Sequence, residues 1–361
     1  MQTRTLILLA VAVVAALAAT MLLERKSEPD SVVAGGGLLY PNLTANLNTI
    51  DRLELTQGDQ QIVLEKSDSG WIVEQKSGYP ADSGKIRQLL LRLSEARILE
   101  AKTTNPELYP RLTVAEPDAA EGAGNLLEIA APSDVRLIIG DLDSRAGGTY
   151  VRRAGESQSY LVDTEIDAGG TPLDWLDRTI MDIDSASVSQ VRISHADGET
   201  LTLLRVGGQL VVAGVPEDRE LSGPASTQPA ARLLSPLRLD DVVPIGEFDI
   251  ADPEATVDVH LDDGRKITIR AWRREDERWM AFDVALAPPD EAEPTASGLP
   301  AESETGEEDD DSGDELETGR ADPEAVAERD AFLAGWVYRV PVFKYDQAVR
   351  RMEDLLKPVT D

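Results

Sequence analysis

Ile50-Asp51-Arg52-Leu53-Glu54-Leu55-Thr56-Gln57-Gly58-Asp59-Gln60-Gln61-Ile62-Val63-Leu64 is the stretch from which the fold of this chain can be read. Ile50, Leu53 and Leu55 on one side of Gly58-Asp59, and Ile62 and Leu64 on the other, have the spacing of two half-buried strands joined by a turn. Trp71, Ile72 and Val73 follow a further turn at Asp68-Ser69-Gly70, which makes an antiparallel meander. The period then changes. Asp82 or Ser83 caps a helix on which Ile86, Leu89, Leu90 and Leu93 recur at helical spacing, ending near Ala96.

The same order returns about 139 residues later. Ile50, Leu53 and Leu55 correspond to Val188, Val191 and Ile193; Ile62 and Leu64 to Leu201 and Leu203; Trp71-Ile72-Val73 to Leu210-Val211-Val212. Leu89, Leu90 and Leu93 then match Leu233, Leu234 and Leu237, and Leu127, Ile129, Leu137 and Ile139 match Val257, Val259, Ile267 and Ile269. Finally Tyr160-Leu161-Val162 resembles Trp336-Val337-Tyr338, and a short helical pattern follows each. Two tandem α+β units are therefore expected at 48–185 and 186–361, each a mostly antiparallel sheet with helices packed on one face. A linker at 27–47, with Gly35-Gly36-Gly37, precedes them.

Composition narrows the functional classes. Of 361 residues, 35 are Lys or Arg and 67 are Asp or Glu, a formal net charge of −32. Such a surface repels phosphate backbones, since nucleic-acid affinity comes largely from Lys and Arg displacing counterions; no nucleic-acid partner is expected. Without cysteine there is no disulfide, thiolate nucleophile or cysteine-held zinc. The stretch from Asp290 to Asp322 carries 14 acidic residues against Arg320 alone, with Leu299 and Leu316 its only large apolar side chains. Its burial cannot offset the entropy of ordering it, so a disordered acidic insertion is expected at 288–323 of the second unit.

Leu6 to Leu23 holds no charge and only Thr20 as a polar residue, between Arg4 and Glu24-Arg25-Lys26. A helix of this length spans a bilayer. Ala16-Leu17-Ala18 also fits a signal-peptidase site, but the apolar run continues through Met21-Leu22-Leu23, which favours an uncleaved signal anchor over residues 1–26. Flanking basic residues are nearly balanced and do not fix orientation. A short tail inside with the bulk of the chain exported is the simpler topology.

Motifs for catalysis are scarce. There is no phosphate-binding Gly-x-x-x-x-Gly-Lys-Ser/Thr loop, no Gly-x-Ser-x-Gly elbow and no His-Glu-x-x-His helix. His195, at a strand end before Asp197-Gly198, and His260, on an alternating strand, are both read as facing solvent. Asp141-x-Asp143 lacks the further oxygen ligands and closing Glu of a calcium loop and reads as a turn. Glu307-Glu308-Asp309-Asp310-Asp311 could gather divalent cations weakly, but reads as a solvated loop. Trp71, Trp175, Trp272, Trp279 and Trp336 sit among aliphatic neighbours and are assigned to cores. Arg273-Arg274 and Arg278 form a local basic cluster that could dock an acidic partner, although cross-strand pairing with Glu275, Asp276 and Glu277 is the plainer reading. No catalytic, cofactor-binding or metal-binding residue is assigned.

A set of short segments in fixed order resembles the bacterial family called domain of unknown function 4340. They are Ile50-x-x-Leu53-x-Leu55, Gly70-Trp71-x-Val73, Gly78-Tyr79-Pro80-Ala81-Asp82, Thr104-Asn105-Pro106-Glu107-Leu108-Tyr109, Ile139-Gly140, Gly148-Thr149-Tyr150-Val151-Arg152, Asp174-Trp175-Leu176 and Gly335-Trp336-Val337-Tyr338 with Pro341. The resemblance implies one N-terminal membrane helix, an exported region, and an operon shared with a gliding-motility type of ABC transporter. The expectation is a non-catalytic, single-pass protein of the bacterial inner membrane. Leu6 to Leu23 would anchor it, most of the chain would lie in the periplasm, and ABC transporter subunits or an envelope assembly system would be its partners. Two alternatives stand beside it: an envelope hydrolase with a carboxylate pair, and a periplasmic binder of small ligands or cations.

Overall fold

The computed structural model describes residues 36–130, 134–223, 226–288 and 320–358. Leu6–Leu23 and most of the acidic tract, 289–319, lie outside them; among the described residues no helix is long and apolar enough to cross a membrane. The architecture is α+β and mostly antiparallel sheet. Its contacts divide it into one unit of Met1–Trp71 with Ser83–Thr171 and another of Ile72–Asp82 with Pro172–Asp361.

The first sheet uses β1 (Arg52–Gln57), β2 (Gln60–Ser67), β3 (Gly70–Val73), β4 (Tyr79–Pro80), β5 (Ile98–Ala101), β6 (Asn125–Ile129), β7 (Val135–Asp143), β8 (Gly148–Arg153) and β9 (Ser159–Val162). Their order is β4-β3-β2-β1-β6-β7-β8-β9-β5, antiparallel from β2 across to β5. A short pair, β10 (Thr179–Met181) and β14 (Leu237–Arg238), stands alone. The second large sheet uses β11 (Val188–His195), β12 (Thr200–Val206), β13 (Gln209–Val212), β15 (Asp241–Pro244), β16 (Ala255–Leu261), β17 (Arg265–Arg274), β18 (Glu277–Leu286) and β19 (Trp336–Arg339). These run β13-β12-β11-β16-β17-β18-β19-β15, all antiparallel. In each sheet a first meander, β1 to β4 in one and β11 to β13 in the other, joins through its first strand a second meander of four strands. The far edge comes from a strand that lies between the two meanders in sequence.

Register follows the apolar alternation, because a one-residue slip would turn every core side chain outward. Leu53 stands between Leu64 and Ile129, and Leu55 between Ile62 and Leu127. In the second sheet Val191 stands between Leu203 and Val259, and Ile193 between Leu201 and Val257. All eight partners and both central pairs are buried. One expected match needs correction by two residues. Leu127 faces Leu137 while Val257 faces Ile269, so Leu137 holds the place of Ile269 and Val135 that of Ile267. The β16–β17 hairpin continues through His260 opposite Lys266, one pair beyond the last β6–β7 pair at Ile129 and Val135.

Among the described residues five helices accompany the sheets: α1 (Leu43–Asn46), α2 (Ser83–Glu95), α3 (Gln228–Ala231), α4 (Pro323–Leu333) and α5 (Val342–Ala348). Helix α2 buries Ile86, Leu89, Leu90 and Leu93 as its period requires. The corresponding helix expected across Leu233, Leu234 and Leu237 is not formed. Only α3 is helical there, Leu233 and Leu234 are buried in turns, and Leu237 begins β14. Pro236 explains this, since the residue before a proline is driven out of helical geometry. Helix α4 starts where the acidic tract ends: Asp322 accepts the Glu324 amide at 3.0 Å and Pro323 takes the first turn. The second sheet is not covered on one face only. Trp272, Trp279, Ala281 and Val337 pack with Val243, Ile245 and Phe248, while Phe282 meets Tyr338 at 5.6 Å and the neighbouring Met280 is equally buried.

The segments that carry the family resemblance are architectural. Arg152 is buried, donating to the Val114 carbonyl at 2.9 Å, the Glu156 carbonyl at 3.0 Å and Glu116 at 2.8 Å, with its guanidinium 4.6 Å from the Tyr109 ring centre. Gly148 lets two backbones meet: a Cβ there would lie 1.8 Å from the Val162 carbonyl oxygen. In the second unit the Asp82 amide donates to the Trp175 carbonyl at 2.7 Å, and Tyr79 packs edge-on to Trp336 at 5.0 Å.

Leu93→Ala, at a fully buried position on α2, is expected to lower unfolding free energy by about 2–5 kcal/mol. Denaturant titration followed by circular dichroism measures it; a loss well below 1 kcal/mol would show that α2 is not a core element.

Candidate functional site

The basic cluster flagged in the sequence lies on the β17–β18 hairpin, whose turn is Glu275-Asp276 with Glu275 at φ 52°. Alternation along the strands splits it. Arg274 lies over Phe248 at 5.7 Å and donates to the Asp249 and Ala251 carbonyls at 3.0 and 3.1 Å, beside Trp272, whose indole also donates to Ala251. Arg273 and Arg278 stand directly opposite each other on adjacent strands. Like charges so placed repel, and something else must hold them together.

Tyr345 of α5 and Glu254 supply that. Both guanidiniums approach the Tyr345 ring, Arg273 at 5.9 Å and Arg278 at 5.6 Å from its centre. Glu254 takes a two-pronged bond from Arg273, at 3.0 and 3.2 Å, and accepts the Tyr345 hydroxyl at 2.7 Å. Burial first, and then the Glu254 carboxylate, raise the Tyr345 phenol far above its ordinary value, so it stays a donor. The hydrogen bond to Glu254 likewise raises Arg273. Arg278 is left over. Its Nη1 donates to the Glu277 carbonyl at 3.2 Å, its buried Nε finds no acceptor, and among the described residues no carboxylate lies within ion-pair distance of it. The expected pairing with neighbouring acids is thus corrected: Glu277 pairs with Arg339 at 2.7 Å, and Arg273 reaches back to Glu254.

Other flagged residues fall elsewhere. His195 is buried, not solvent-facing; its Nε2 sits 3.2 Å from the Arg350 carbonyl because the chain returns over the strand end. His260 is half-buried on β16. Asp141 and Asp143 lie at the end of β7. Asp143 accepts the amides of Arg145 and Ala146 and the Tyr150 hydroxyl, which hold its carboxyl low, Tyr150 contributing most. Asp141 accepts the Thr113 hydroxyl at 2.7 Å. Among the described residues no three His, Asp or Glu side chains converge as metal ligands, and Glu307–Asp311 lie outside them. Trp175 and Trp272 are fully buried, Trp279 nearly so, and Trp71 and Trp336 are half-buried.

Sequence reading missed Lys344. It is buried on α5 with its ammonium donating to the carbonyls of Arg232, Leu233 and Ser235 at 2.6, 3.1 and 3.2 Å, and burial lowers its pKa against the pull of Asp182. It satisfies carbonyls of the turns between α3 and β14, which no backbone ladder covers. Its neighbour Tyr345 was also unmarked. Alternation along β17 and β18 places Arg273 and Arg278 on one face, but only the tertiary fold brings the ring to them.

The family described as Domain of unknown function (DUF4340) matches residues 71–263. The chain belongs to this family. No curated protein and no solved structure matches it. The DUF4340 match ends before Arg273, so the arginine pair and Tyr345 lie beyond the matched residues.

Two outcomes are expected. Glu254→Gln removes a charge that raises Tyr345, so the phenol should titrate at lower pH; ultraviolet difference titration against Tyr345→Phe isolates the signal, and an unchanged curve would mean the contact is not formed. Glu199 accepts the Met352 amide at 2.9 Å and pairs with Arg351; the amide first, then Arg351, lower its pKa. Its stabilising share is full above the usual glutamate range and is lost as pH falls through the lowered value. In Glu199→Gln the acid limb of a stability–pH profile should therefore be shallower.

Proposed function

We propose that this DUF4340 protein is a non-catalytic accessory of the bacterial envelope, anchored through Leu6–Leu23 with its bulk in the periplasm, that docks an acidic surface of a partner assembly through Arg273 and Arg278. The partner class is an ABC transporter or an envelope assembly system, as the family resemblance implies. One observation carries the docking reading: on a chain with 67 acidic residues, Arg278 lacks a carboxylate among the described residues and is held beside Arg273 by a fixed ring. Keeping two repelling guanidiniums side by side costs stability, and an incoming carboxylate would relieve it with bidentate hydrogen bonds.

The reading includes a tandem origin for the two units. The shared strand order and the matched registers at Leu53 and Val191 support it. Repetition of a sheet-rich unit supplies surfaces for partners without requiring a reaction centre.

Affinity purification of the full chain from solubilised membranes tests the proposal. Transporter or assembly subunits should co-purify with the wild type, and Arg273→Ala/Arg278→Ala should reduce their recovery about tenfold while leaving circular dichroism unchanged. Repeated isolation of the wild-type chain alone would overturn the accessory role; equal recovery with the double variant would overturn the docking face.

A further inference from the structure

The first unit contains a concave cavity of about 410 Å³ that no role above uses. Ser83, Ile86, Arg87, Leu90 and Leu91 form one wall; they fall at the spacing that lines a single helical face of α2. Leu47, Asn48, Ile50, Lys66 and Trp71 form the other. Ile50, Ile86 and Leu90 are buried, the Trp71 ring is half-buried, and Leu91 remains 43% exposed. An exposed leucine beside a half-covered indole leaves apolar surface in water that an apolar ligand would cover.

The charge of the lining is the informative part. Lys66 and Arg87 both line the cavity, and no carboxylate does. Among the described residues neither cation has an ion-pair partner. Other bases pair with acids, as Lys76 with Asp241, Lys102 with Glu100 and Arg136 with Glu128, or with backbone carbonyls, as Arg205 and Lys344 do. With acidic residues nearly twice as numerous as basic ones, an apolar concavity lined by two cations and no carboxylate is a place where an anion meets attraction rather than repulsion.

We propose that this cavity binds a small single-chain anionic amphiphile, its apolar body against Trp71, Ile86 and Leu90 and its carboxylate or phosphate held by Lys66 and Arg87. The volume lies at the lower end of small-molecule sites, about 300–1,000 Å³, and suits one short chain rather than the two long chains of a membrane phospholipid. This is independent of the arginine pair on the second sheet.

The test uses the full chain in phosphocholine vesicles with hexyl phosphate as the probe. Protection of Lys66 from an amine-acylating reagent is read by peptide mass spectrometry, and affinity by calorimetry. Hexyl phosphate should protect Lys66 saturably, inorganic phosphate and hexanol should each do so at least tenfold more weakly, and Arg87→Ala should weaken hexyl phosphate three- to tenfold. Trp71→Leu keeps an apolar wall and should weaken the probe less than Trp71→Asp does. Absence of saturable protection, equal protection by hexanol or inorganic phosphate, or an unchanged affinity in Arg87→Ala would overturn the proposal. Protection by phosphatidylglycerol vesicles but not by hexyl phosphate would overturn it in favour of a membrane surface.

Discussion

Each sheet depends on one long-range pairing, β1 with β6 in the first and β11 with β16 in the second. These pairings join the first meander of each sheet to a four-strand meander across stretches of chain that make no hairpin. Closing such a loop costs entropy that grows slowly with length, about 0.6 kcal/mol for each doubling. Against that stand fully buried pairs such as Leu53 with Ile129 and Val191 with Val259, where each side chain contributes roughly 1.5–3 kcal/mol. The slow growth of the loop term also explains why an acidic tract can sit between β18 and β19. A longer connection there adds little cost while β18 keeps its register with β17 from Arg265–Leu286 to Arg274–Glu277.

The charge balance shapes the surface in a similar way. Many bases pair with a carboxylate that is close in sequence or cross-strand, as Arg52 with Glu54, Arg153 with Glu156 and Arg265 with Asp263, while others, such as Arg205 and Lys344, are held by backbone carbonyls. Most of the ion pairs are partly exposed and each adds little to stability. Where two cations share one place with no acid between them, the local field is positive on an otherwise acidic chain. Arg278 is held by packing on Tyr345, and Lys66 and Arg87 border an apolar cavity. Neither arrangement is what a solvated acidic surface produces by default.

How much of this was legible in the sequence depends on how far away the deciding contact lies. The strands of both meanders and helix α2 were legible because period 2 and period 3.6 are local signals, and Gly58-Asp59 and Asp68-Ser69-Gly70 mark their turns. The registers of β1, β2 and β6 against β11, β12 and β16 were legible for the same reason. The two-residue shift in β7 was not, since hairpin length is set by pairing at His260 and Lys266 and not by apolar spacing. The failure of helix formation after Ala231 was visible in Pro236, but Leu233, Leu234 and Leu237 mimicked a helical face. Burial of His195 and Lys344 rests on carbonyls from Arg350 and from Arg232, Leu233 and Ser235, distant in sequence, which no local pattern announces.

The segments that carry the family resemblance and those that carry candidate function are largely different. Gly148, Arg152 and Tyr109 tie backbones together in the first unit, and Tyr79 and Trp175 do so in the second. They account for a common fold and bring no exposed chemistry with them. Lys66, Arg273 and Arg278 lie outside the matched residues 71–263, while Trp71 and Arg87 lie inside. The fold therefore fixes one wall of the apolar cavity through α2 and leaves part of its charge to residues beyond the matched stretch. A binding specificity built that way can change by single surface substitutions without disturbing the register of either sheet, because Lys66 is exposed and makes no core contact that β1 or β6 needs.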